Sequence, residues 1–126
     1  MKKQRILVLS VFTTILGLSG IASAGDAAAG KAIYDGKGAC GSCHGATGAG
    51  DGAAAAALNP KPASFAAGIF RLDTDGDGKT GTDADLANAI KNGGAKYGGN
   101  VAMPARADLT EDEVASLVAY IHSLKK

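Results

Sequence analysis

Apolar side chains recur at helical spacing most clearly near the end of the chain. Val114, Leu117, Val118, Ile121 and Leu124 fall on one stripe. Thr110-x-x-Glu113 precedes the stripe as a capping box. Glu111, Asp112 and Glu113 complement the positive end of the helix dipole, and Lys125 and Lys126 the negative end. A second stretch begins at Thr82, a good cap followed by Asp83 and Asp85. It carries Leu86 and Ile90 at i, i+4 and stops at Gly93 or Gly94, predicting a helix to about Asn92. A third runs over about Ala27 to Lys37, capped by Asp26 and closed by Gly36 or Gly38, with Gly30, Ile33 and Tyr34 facing inward. Glycine costs about 1 kcal/mol in a helix interior, so Gly30 on the inward face points to another helix crossing closely there.

Between these segments the pattern weakens. Ala53 to Leu58 and Ala63 to Phe70 predict short helical pieces, the second with Phe65 and Phe70 as core residues. Asn59-Pro60-Lys61-Pro62 separates them as an extended segment. Gly45 to Gly52 is a glycine-rich loop without the G-K-[ST] ending of a phosphate-binding loop, and Lys96 to Ala107 has no strong periodicity.

The first residues belong to a different class. Met1-Lys2-Lys3-Gln4-Arg5 is a positive leader, Ile6 to Leu18 an apolar run, and Ala22-Ser23-Ala24 an A-x-A cleavage site. The run is short against the roughly 20 residues a membrane span needs. The expected division is an export signal over 1–24 and one domain over 25–126, placed in the periplasm with no stable membrane insertion after cleavage. Loss of Lys2, Lys3 and Arg5 leaves ten basic against twelve acidic side chains, a formal −2. That excludes the basic footprint of a nucleic-acid binder. With few aromatics and no Trp, so small a domain has a weak apolar core, and a buried porphyrin would supply the missing surface.

Cys40-Gly41-Ser42-Cys43-His44 is the chemical centre of the sequence. C-x-x-C-H is the pattern for covalent haem attachment. Two thiols three positions apart can each add to one vinyl group, and the tether leaves His44 beside the iron as a ligand. A redox dithiol would want a βαβ surround. Zinc would want four ligands, and Cys40, Cys43, His44 and the remote His122 are the only Cys and His residues in the chain. A carbonyl in the segment Asn59 to Pro62 is expected to accept the free N–H of His44 and fix its tautomer. For the sixth iron position Met103, followed by Pro104, is the candidate. It is the only Met left after signal removal, and Met/His ligation raises the reduction potential. His122 is the rival, read here as a solvated side chain, and an open sixth position is the third option.

Asp73-Thr74-Asp75-Gly76-Asp77-Gly78 resembles the start of a calcium loop, but the twelfth position is Ala84 where a bidentate Glu belongs. A polar surface turn is the preferred reading, with calcium at Asp73, Asp75 and Asp77 the minor alternative.

On these residues the chain over 25–126 resembles a small soluble bacterial class I c-type cytochrome. The motif Cys40–His44, the pair Met103-Pro104, the terminal helix, and the set Gly30, Tyr34, Leu117 and Tyr120 carry the resemblance. It implies an all-α cytochrome c fold of three to five helices around one covalent haem, with the N- and C-terminal helices crossing. It also implies a periplasmic one-electron carrier, not an enzyme, with Cys40 and Cys43 attached to haem c and His44 and Met103 on the iron. Partners would be redox donors and acceptors that dock transiently. The Asp73–Asp77 insert departs from the family pattern, and Tyr97 is the candidate for a propionate contact. Two alternatives stay open: a peroxidase-like haem enzyme with a labile sixth site, and the electron-transfer subunit of a larger oxidoreductase.

Overall fold

The computed structural model describes residues 24–126; apart from Ala24, the expected export signal lies outside the described residues. Four α-helices and no strands occur among them: α1 (Ala27–Asp35), α2 (Gly41–His44), α3 (Asp83–Asn92) and α4 (Glu111–Ser123). Short 3₁₀ turns at Ala55–Ala57 and Gly94–Tyr97 punctuate the connections. The all-α class agrees with the periodicity.

Local chemistry sets the helix ends. Asp26 accepts from the N–H of Ala28 at 2.8 Å and starts α1. Gly36, one of the two expected closing residues, ends it at Asp35, its N–H reaching Ala32 O at 2.9 Å. Thr82 and Asp85 form a capping box on α3, and Thr110 and Glu113 another on α4. Each box satisfies two orphan N–H groups reciprocally.

α1 and α4 cross as Gly30 foretold. An added Cβ at Gly30 would lie 1.9 Å from Ser116 O, so the two helices meet backbone to backbone. Tyr34 and Tyr120 pack edge to face across the crossing, ring centroids 5.2 Å apart, and Tyr34 is wholly buried. Val114, Leu117, Val118 and Ile121 turn inward from α4 and meet Leu86 and Ile90 of α3. Ile33 and Leu124 pack on the margin of this core.

The stretch Ala63 to Phe70 is not the short helix its composition suggests. It is a tight turn closed by one antiparallel bridge between Ser64 and Ile69, with Gly68 at φ 65°. So short a segment cannot offset the cost of a helical nucleus, and outside partners claim its backbone. Ala66 N–H donates to Gly48 O at 3.0 Å, and Lys126 N–H to Ala66 O at 3.1 Å. Phe65 is still a core residue, whereas Phe70 is half-buried.

Candidate functional site

The turn after α1 delivers the two cysteines. Cys40 N–H returns to Tyr34 O at 3.0 Å, and Gly38 N–H to Ile33 O at 2.7 Å. Between them Ala39 sits at φ 50°, a left-handed conformation costing an alanine about 1 kcal/mol. α2 is a single turn. With Cys40 at its N-cap, it brings both free, half-buried thiols beside His44, whose N–H reaches Cys40 O at 2.9 Å. Burial pushes the Cys40 thiol above its ordinary pKa, against the nearby Arg106 charge. Beneath the turn, the buried Tyr34 hydroxyl donates to Gly45 O at 2.7 Å and anchors the backbone just past His44.

The imidazole of His44 is held on two sides. Phe65 stacks on its ring, centroids 4.4 Å apart and planes 17° apart. Its Nδ1 lies 3.1 Å from Ala63 O. A carbonyl can only accept, so Nδ1 carries the proton and Nε2 keeps its lone pair. The acceptor is one residue beyond the Asn59–Pro62 segment expected to supply it. Burial lowers the His44 pKa and outweighs the Ala63 carbonyl, which raises it, so the ring is favoured neutral with one free nitrogen.

These groups open onto a cleft of about 530 Å³, within the range of sites that enclose an organic cofactor. Cys40, Cys43 and His44 line it together with Met103 and Pro104, and Leu109, Leu117 and Ile90 give it apolar walls. His44 and Met103 also border a smaller void of about 70 Å³. The four residues singled out in sequence thus share one cavity. Tyr97 lines it as well, its hydroxyl accepting from Asn92 Nδ2 at 3.0 Å. His122 does not line it. It is exposed on α4, with Nε2 2.8 Å from Asp83 Oδ1. A four-ligand zinc site is therefore not assembled among the described residues.

Two polar residues of the cleft carried no signal in sequence. Asn100 donates to Pro60 O at 3.1 Å. Arg106 donates to Gly38 O at 2.7 Å and Lys37 O at 2.5 Å. Asp108 holds that guanidinium in a two-bond fork, 2.9 Å at each oxygen, and is itself held down at a pKa of about 2 by it. Apart from Asp108, the partners named here are carbonyls tens of residues away, beyond any local pattern.

The Asp-rich turn is arranged differently from the calcium reading. Oxygens of Asp73, Asp75 and Asp85, not Asp77, come within 4.8 Å of one another. Asp77 instead accepts from Lys79 N–H at 2.8 Å. Asp85 is buried and accepts from the N–H and hydroxyl of both Thr74 and Thr82, at 2.6 to 3.1 Å. Burial alone would raise its pKa; the four donors outweigh it and hold the carboxyl below its usual range.

The family model described as Cytochrome c matches residues 27–125. Among solved structures, a chain of the Kuenenia stuttgartiensis reducing HAO-like protein complex is 33% identical, over 77% of this chain, with a TM-score of 0.62. The match covers 41% of that chain, so this protein spans less than half its length. No curated protein gives a significant match.

Proposed function

The chain belongs to the cytochrome c family, whose members transfer electrons through haem, and on that premise we propose that it is a periplasmic one-electron carrier. One haem c would be held by thioethers from Cys40 and Cys43, with His44 as proximal and Met103 as distal iron ligand. When bound, the haem supplies a reversible one-electron change at iron.

The residues present fit that group. Two thiols and an imidazole sit on one turn, a thioether lines the same cleft, and the walls are apolar. The observation that carries the reading is the 3.1 Å contact of His44 Nδ1 with Ala63 O. It leaves Nε2 as the coordinating atom and makes the ligand more basic. Phe65 and Ala63 keep the ring from turning, and Tyr34 holds the backbone behind it. Nothing in this arrangement has to move during an electron transfer, which keeps the protein's part to binding and tuning.

Met103 separates this reading from a peroxidase-like enzyme, which would need the sixth position vacant or labile. The likeness to a chain of the HAO-like complex favours a second reading: the same electron-transfer domain working as part of a larger oxidoreductase. Among the described residues no helix is long and apolar enough to cross a membrane, and cleavage after Ala24 would leave the domain free of its leader.

Intact-mass measurement of the exported product tests the proposal. A mature polypeptide starting at Gly25 and carrying the mass of one haem is expected. A product without that mass, from cells that mature other c-type cytochromes, would overturn it. Co-purification with a catalytic chain would select the subunit reading over the free carrier.

A further inference from the structure

The segment that carries Met103 is fastened at two points to the rest of the cleft. On one side Asn100 uses both ends of its amide: Nδ2 donates to Pro60 O at 3.1 Å, and Oδ1 accepts from Ala102 N–H at 2.8 Å. On the other side Arg106 reaches across 68 and 69 positions of sequence to the carbonyls of Gly38 and Lys37. Those carbonyls belong to the turn that delivers Cys40. The backbone N–H of Arg106 is tied to Ile90 O of α3 at 2.9 Å. The Asp108 fork fixes the guanidinium plane, so its two remaining donor directions are aimed in advance. Between the two fastenings, Met103 is held only by its own backbone, through Met103 N–H to Asn100 O and Gly94 N–H to Met103 O, each 3.1 Å.

We propose that Arg106 is a positioning residue for Met103, with Asn100 securing the opposite end, and that the two set how readily the sulfur yields its place to an incoming ligand. The proposal rests on Met103 being an iron ligand. A thioether is a neutral and modest donor, so its residence depends on how far the chain bearing it can swing. Each fastening removes freedom that would otherwise favour the detached state. Arg106 fastens with charge-assisted bonds, stronger than neutral ones. It also ties the sulfur-bearing segment to the thiol-bearing turn, so the two cannot drift apart independently.

The test uses ferric holoprotein and imidazole as the competing ligand. Association is followed by stopped flow, together with the weak near-red absorption band of sulfur-ligated ferric haem and the thermal midpoint. Arg106→Gln and Asn100→Ala are each expected to speed imidazole binding by about tenfold or more, with Arg106→Lys in between. Lys37→Met is the control. It removes the 2.6 Å ion pair of the Lys37 side chain with Glu113 while keeping the backbone carbonyl that Arg106 bonds, and should lower the midpoint while leaving the imidazole rate unchanged. Wild-type rates in both Arg106→Gln and Asn100→Ala, with the band intact, would overturn the proposal. So would an equal acceleration in Lys37→Met, which would mean general loosening. If Arg106→Gln fails to accumulate with haem, Asn100→Ala decides alone. Absence of the band from the wild-type protein would remove Met103 from the iron, and both the ligand reading and this proposal would fall.

Discussion

Replacing Gly30 by Ala sets two physical effects against each other, and the structure decides the sign. Helix propensity alone favours Ala by about 1 kcal/mol. The new Cβ, however, would stand 1.9 Å from Ser116 O, 2.6 Å from Ser116 C and 2.8 Å from Tyr120 Cβ. The first two atoms are backbone within α4 and cannot step aside as a side chain can. Ordinary contact requires α1 and α4 to part by about 1.5 Å, a gap at which well over half of the dispersion attraction across the crossing is lost. Tyr34, Leu117 and Tyr120, nearly or fully buried there, would all loosen. Overpacking costs about 1–3 kcal/mol where neighbours can yield. With a rigid backbone opposite, the net after the propensity gain is about 3 kcal/mol of destabilisation, a large fraction of the roughly 5–15 kcal/mol of a small domain. Urea unfolding of the purified holoprotein should show a lower midpoint with little change in slope. A midpoint above that of the wild type would mean that the crossing is looser than described, and would refute the reasoning.

Two further changes probe the site and the core. On the proposed ligation, Met103→Ala should abolish the near-red band and lower the reduction potential, because a neutral sulfur favouring the reduced iron is removed; a retained band would overturn that ligation. Asp85→Asn replaces one acceptor oxygen with an NH2 that faces the N–H and hydroxyl of either Thr74 (on Oδ1) or Thr82 (on Oδ2), at a cost of about 2–4 kcal/mol. The folded Asp85 pKa is depressed, so its contribution is full above the ordinary carboxyl range near 4 and is lost as pH falls through the lower folded value. Thermal midpoints measured against pH should therefore fall less steeply below about pH 4 in Asp85→Asn than in the wild type; identical acid slopes would contradict the assignment.

What could be read from the sequence was whatever local spacing encodes. The stripe on α4, the Thr110–Glu113 box and the Asp26 and Thr82 caps act within four residues of themselves, and they appear where the pattern placed them. Gly30 announced a distant contact only because it violates a local preference. The Cys40–His44 motif and Met103 were visible as chemistry, and their shared cleft follows from the fold. Legibility ended where the deciding partner is remote. Ala63 to Phe70 has the composition of a helix, but Gly48, Lys126 and His44 take its backbone groups. Asp85 reads as a dipole-complementing residue, yet Thr74, eleven positions earlier, makes it a buried hub. Arg106 reads as an ordinary surface cation until Lys37 and Gly38 are placed beside it.

The meeting of α1 with α4 also governs how the domain opens. Asp26 N–H donates to Ser116 Oγ at 3.2 Å across a separation of 90 positions, so most of the described chain is closed into one ring by its own outer helices. Neither helix can fray inward residue by residue while the other stays docked. Amide protons of α1 and α4 should then exchange with solvent only through whole-domain opening, whereas those of Gly76 to Lys79, bonded to exposed carboxylates, exchange through local opening. A bond spanning 90 positions thus becomes the slowest gate of the domain.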